Sequence, residues 1–276
     1  MSVGDSPAAV RPLAHSLWPR LVPRLGSRDN LIRLASVAVT LAAWEWYGRG
    51  VDPVFLSYPT AIVAALPAMV ASGELPAALL SSLQSLAAGL AAAIVLGTML
   101  GLAMGRYRTA DAAFTMQVSA LYATPNVALI PLLILWFGLG LLSKIVIVFL
   151  AAVFPIVVNT YSGVRNVSRS LVEVALAEGA NEPQVLAKII VPASLPFIMT
   201  GIRLSMGRAV VGMVVAEMFT AVSGLGGAIV AYGNAFATAK LFVVIIVLAV
   251  LGVTLTETVR LAERRLAPWK ETERAS

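Results

Sequence analysis

Apolar stretches recur along the chain at roughly 31–48, 80–104, 112–137, 141–161, 193–219 and 240–261, separated by short polar segments. Crossing a hydrocarbon core of ~30 Å takes about 20 helical residues, so the pattern predicts six transmembrane helices. Residues 59–72 are apolar but short and hold Pro59 and Pro67; they are read as an interfacial or external helix. The longest polar island between two strongly apolar stretches covers 162–192, and its centre carries helix punctuation. Ser170 and Glu173 have capping-box spacing, Leu171 to Glu178 make two turns, and Gly179 stands where a left-handed residue ends a helix. Asn181 caps a second short helix with Glu182 and Pro183 in its first turn, and Pro192 is expected to stop it. The island reads as a helix, a glycine turn and a second helix, shaped for something to dock.

Composition sets the solvent. Of 276 residues, 59% are hydrophobic and 12% charged, against about 25% charged in a soluble domain. The chain is therefore read as an all-α integral membrane protein. Charge distribution then orients it. With the N-terminus inside, fifteen of the twenty Lys and Arg fall in inside segments and three (Arg49, Lys144, Lys240) in outside segments, with Arg203 and Arg208 in the fifth span. By the positive-inside rule both termini and the 162–192 island are cytoplasmic. This gives a basic tail over 1–30, a transmembrane domain over 31–264 and a second tail over 265–276. The net charge of +6 is explained by this asymmetry and does not point to nucleic acid. Before residue 30 there is no long apolar region and no small-residue cleavage signal, so no cleaved signal peptide is expected.

Chemistry inside the membrane is sparse. The chain has no Cys and one His, His15, so neither a metal centre nor His-based catalysis is expected, and no catalytic residue is assigned. No GxxxxGK[ST] loop is present, so ATP binding by that motif is not expected, and no cofactor is called for. Gly89, Ala93, Gly97, Gly101 and Gly105 set a small residue at every fourth position of the second span. That is a stripe for close helix packing, with a substrate path as the alternative. Pro125, Asn126 and Pro131 lie in the third span and Pro155 and Asn159 in the fourth, where proline frees backbone carbonyls. Pro125, Asn126 and Asn159 are candidate lining residues; a plain kink is the other reading. In the fifth span Arg203, Arg208 and Glu217 need partners or water. Arg203 and Glu217 share a face but lie about 21 Å apart along the axis, while Arg208 and Glu217 point to opposite sides. Arg203 and Glu217 are candidates for a polar path or gate, with snorkelling or an interfacial position as the alternative.

The island resembles the E-A-A-x3-G-x9-I-x-L-P loop of ABC-importer permeases. Here it reads Glu173-Val174-Ala175, three residues, Gly179, nine residues, then Ile189, Ile190, Val191 and Pro192. The spacing is kept; Val174 and Val191 are mild departures. The segment from Pro125 to Gly138, Phe154-Pro155, Asn159-Thr160, Gly201-Ile202-Arg203, Ala216-Glu217 and Ser223 to Gly226 resemble the nitrate/sulfonate/taurine branch, and the likeness covers most of the chain past residue 50. It departs at Ser85, where many relatives carry Arg, so no substrate role carries over there.

The resemblance implies a type I importer-like permease in a bacterial inner membrane, with six helices and a cytoplasmic coupling helix. It further implies a homodimer, two copies of a separate ATPase, and a periplasmic or lipid-tethered solute-binding protein. The branch handles small anions and organics such as nitrate, sulfonates and taurine. Leu171, Ala175 and Leu176, with Val172 and Val174, are expected to form an apolar knob for the ATPase. Glu173 belongs to the same element, Gly179 reverses the chain, Ile189 and Ile190 tie the second helix to the membrane domain, and Pro192 closes the motif. A self-sufficient secondary transporter is the alternative; it calls for internal repeats and mid-depth acids, of which only Glu217, off-centre, is found.

Overall fold

The computed structural model describes residues 28–220 and 223–266. Residues 1–27 and 267–276 of the two expected tails lie outside the described residues. The apolar stretches form helices throughout: α1 (Arg28–Arg49), α2 (Pro59–Ala71), α3 (Glu74–Arg106), α4 (Arg108–Ala123), α5 (Ile130–Phe137) and α6 (Leu141–Arg165), then α7 (Arg169–Ala177), α8 (Glu182–Val185), α9 (Val191–Thr220), α10 (Gly224–Asn234) and α11 (Thr238–Leu266). Four helices are long and apolar enough to cross a membrane: α3, α6, the run from α8 through α9, and α11. A broken pair, α4 with the segment to Phe137, makes a fifth. The sixth expected span rests on α1, which has 22 residues but whose Arg33, Glu45 and aromatic end hold its hydropathy below the others. The short stretch at 59–72 becomes α2, whose 13 residues reach only about 20 Å.

The core is a three-helix slab of α3, α6 and α9. Along α6, 61% of the span is buried inside the protein, against 11% for α11, so α6 is central and α11 lines the flank. Leu86, Val148, Ile156, Val157, Met206 and Met213 fill the interior. The stripe on α3 is packing: a Cβ added at Gly89, Gly101 or Gly105 would come within 2.5–2.8 Å of Val148, Thr160 or Val164 of α6, and Ala93 is fully buried. The backbones approach so closely because these positions carry no side chain. Pro155 is absorbed in the same slab. The Ala152 carbonyl, one turn before it, accepts a bond of 2.7 Å from Ser205 of α9, and Asn159 donates to the Pro155 carbonyl at 2.8 Å.

Two expectations need correction. The third span is broken, bending by 91° between α4 and the segment that follows. Thr124, ahead of Pro125, is forced extended, and a 3₁₀ turn over Asn126–Leu129 redirects the chain. Pro192 does not stop a helix: Glu182 to Thr220 is one run of 39 residues. A π-helical turn over Leu186–Ile190 widens the backbone just before Pro192, which relieves the clash of its ring with the preceding turn. The segment after α9 is also a helix, α10, packed against α3, α9 and α11.

Candidate functional site

The polar island builds a small, firmly held element. Helix α7 starts after Ser168, and Ser170 and Glu173 form no capping box; the Ser170 hydroxyl pairs instead with that of Ser168 at 2.7 Å. The C-terminus follows the expected design. Gly179 has φ +84°, its N–H donates to the Leu176 carbonyl, and the Ala180 N–H reaches the Ala175 carbonyl at 2.9 Å, the Schellman pattern that a left-handed glycine allows. Asn181 caps α8 through a reciprocal pair with Gln184, at 2.9 and 3.0 Å. The element divides its apolar residues between two sides. Leu171, Val174 and Leu176 are exposed, whereas Val172 and Ala175 pack on the buried cluster of Val164, Val185 and Ile190. Thus only part of the expected knob faces outward. Ile190 is the buried anchor and Ile189 is half-buried; Pro192 is exposed.

One ion pair fastens this element to the slab. Arg106, the last residue of α3, donates to both carboxylate oxygens of Glu182 at 2.5 and 3.1 Å, the bidentate geometry that fixes orientation as well as contact. Glu173 is exposed and lines a polar cleft with Arg106, Arg165 and Arg169.

The ionisable residues of α9 meet three different fates. Arg203 pairs with Glu263 of α11 at 2.9 Å. Glu217 is fully buried in a knot of four elements. The Ser82 hydroxyl of α3 lies 2.8 and 2.9 Å from its two oxygens, and the Gly226 N–H of α10 donates at 2.9 Å. Ser82 also accepts the Leu225 N–H at 2.8 Å. Beside it Lys144 of α6 donates to the Ser223 hydroxyl at 2.7 Å, and Ser81 lies 3.1 Å from the same hydroxyl. The carboxylate thus receives one amide, that of Gly226, from the first turn of α10, where the helix dipole favours negative charge. Gly224, at φ +86°, lies so close that a Cβ would collide with that carboxylate.

Arg208 is different. It is exposed, its guanidinium lies 4.9 Å from the Tyr122 ring centroid, and it donates to the Tyr122 hydroxyl at 3.2 Å. It borders a cavity of about 430 Å³ lined also by Asn126, Val127, Ile130, Leu204 and Val211. Of the residues expected along a path, Asn126 lines this cavity and Pro125 precedes it at the break. Asn159, Arg203 and Glu217 are not among its walls. Sequence reasoning missed Lys144, Ser82, Glu263 and Tyr122. Ser82 was reachable, since Ser82, Ser85 and Gly89 share the buried stripe of α3.

A family model described as "Binding-protein-dependent transport system inner membrane component" matches residues 93–268. The putative aliphatic sulfonates transport permease protein of Bacillus subtilis is 37% identical over 235 residues, 84% of this chain and 85% of its own. The taurine transport system permease protein of Escherichia coli is 31% identical over 250 residues, 88% and 91% of the two chains. A putative ABC transporter permease protein of Methanocaldococcus jannaschii is 30% identical over 256 residues, 90% and 95%. Among solved structures, an inward-facing MetNI methionine ABC transporter matches with a TM-score of 0.55 at 20% identity, covering 70% of this chain and 96% of that one.

Proposed function

The chain belongs to the family of binding-protein-dependent transport system inner membrane components, a permease subunit of an ABC importer with the type I fold, and on that premise we propose that α7 is the element through which a separate ATPase drives it. Two copies of the chain form the path, two ATPase subunits dock beneath, and a binding protein delivers a small anion from outside. Relatives named for aliphatic sulfonates and for taurine support an anionic solute. The fifteen-to-three distribution of cations supports a cytoplasmic island and cytoplasmic termini.

One observation carries the coupling role. An exposed apolar ridge of Leu171, Val174 and Leu176 sits on α7, which the Gly179 turn joins to α8; α8 is fixed to α3 by Arg106–Glu182 and runs without a break into α9. A ridge that docks in a partner's groove and is held on both sides passes motion on instead of absorbing it. Glu173 and Gly179 belong to the same element: Glu173 stands in the cleft behind the ridge, and Gly179 sets the turn. In inside-out membrane vesicles, purified ATPase should bind the wild-type permease and its hydrolysis should be stimulated. Glu173→Lys and Gly179→Val should keep the chain in the membrane and reduce stimulation and uptake at least tenfold, a loss of ~1.4 kcal/mol or more in coupling. Uptake that survives both changes removes the coupling role. Binding only to right-side-out vesicles reverses the orientation.

A further inference from the structure

Arg208 is the cation of α9 that no carboxylate answers among the described residues. It lies about 23 Å and 17 Å from the two ends of the predicted span 193–219, so it is near mid-depth. An arginine there is tolerated only where it is paired or wet, and its one hydrogen bond, to Tyr122, uses one of five guanidinium donors. The ring of Tyr122 holds the group in place while leaving the rest of the fork open. Leu204, Gly207, Arg208 and Val211 follow one another at i, i+3, i+4 and i+7, so they form one face of α9, and all four line the cavity. Gly207 has no packing reason: a Cβ added there would meet nothing within 4 Å. It leaves room beside the guanidinium. Across the cavity, Asn126 commits one amide N–H to the Leu150 carbonyl at 3.3 Å and has a second to give.

We propose that this cavity is the solute site, and that the solute is a small organic oxyanion. Its sulfonate or carboxylate group meets Arg208 and Asn126, and its short apolar body lies on Val127, Ile130, Leu204 and Val211. The proposal rests on the permease reading above and adds the residues that bind and the preference for an organic over an inorganic oxyanion. One fork of donors at one edge suits a single oxyanion head. The apolar remainder of the wall has nothing to offer an inorganic ion, whose whole surface needs hydrogen bonds, but it does reward an alkyl chain.

The test is equilibrium binding of radiolabelled 1-butanesulfonate to the purified permease–ATPase complex. The wild-type complex should bind it, butyrate should compete, and sulfate, nitrate and neutral 1-butanol should compete at least tenfold less well. Arg208→Gln should weaken binding roughly ten- to a hundredfold, the size of one lost charge-assisted hydrogen bond. Arg208→Lys should restore part of the affinity, and Gly207→Leu, which fills the open space, should abolish binding. Binding by Arg208→Gln equal to wild type, competition by sulfate or nitrate as strong as by butyrate, or no wild-type binding at millimolar probe overturns the proposal. ATPase stimulation in the same complex separates the two readings. Stimulation without Arg208-dependent binding removes this inference alone, whereas binding without stimulation removes the coupling role and leaves the site standing.

Discussion

Glu217 and Arg208 stand on one helix, near each other in sequence, and face opposite ways. Behind Glu217 every polar group has an answer: a serine from α3, an amide from α10, a lysine from α6 close by. In front of Arg208 lies open volume and a single tyrosine. Both are charges that hydrocarbon would reject, yet the protein solves the two problems in unlike ways. Where partners are supplied in full, the charge is a joint that fixes the junction of four elements. Where they are withheld, the fold leaves the charge facing space that a ligand can fill. The contrast also separates stability from recognition, because a saturated group is lost at the expense of folding and an unsaturated one at the expense of binding.

Four substitutions test this division by thermal unfolding of the purified complex, in falling order of effect. Glu217→Ala removes the acceptor from Ser82 and Gly226 and leaves Lys144 without its nearby carboxylate, and should destabilise by about 3–5 kcal/mol. A loss below about 1 kcal/mol would mean the knot is not a joint. The paired glycines come next. Gly224→Ala places a methyl against the Glu217 carboxylate at a left-handed position and should cost about 1–3 kcal/mol. Gly207→Ala, into open space on the other side, should gain roughly 0.5–1 kcal/mol. Equal effects at the two glycines would erase the distinction between the faces. Last, Arg208→Gln should leave stability within about 0.5 kcal/mol of wild type; a large loss would make Arg208 a second joint.

Much of the architecture is legible in the amino-acid sequence, because lipid imposes a simple rule: long apolar runs, cations gathered on one side, small residues where helices touch. The helix–turn–helix of the polar island is legible for another reason, since its glycine and its Asn181 cap act on neighbouring residues. What escapes is the long-range pairing. Lys144 reads as an outside loop charge because nothing near it in sequence shows that Ser223, 79 residues on, will receive it. Arg203 reads as a path or gate residue, or as a snorkelling end, because its partner Glu263 lies 60 residues away. Pro125 and Pro192 show the limit of local rules. The same residue type breaks one span and is absorbed by the other, and the outcome turns on whether a neighbouring turn can widen. Ser170 shows it again, for its capping partner was available but the helix began a fraction of a turn earlier, after Ser168.

The unbroken run from Glu182 to Thr220 has a mechanical meaning. Its 39 residues make a rod of about 58 Å, with the exposed ridge of α7 beside its foot and Glu217 near its head. Such a rod is a lever: a tilt of about 10° at the Glu182 end sweeps the far end through roughly 10 Å. Arg208, part-way along the shaft, would travel about two thirds of that arc. On the proposed coupling role, a stroke delivered at the foot would reach the cavity as a change of width and the Glu217 knot as a pull on α10, from one rotation of one arm.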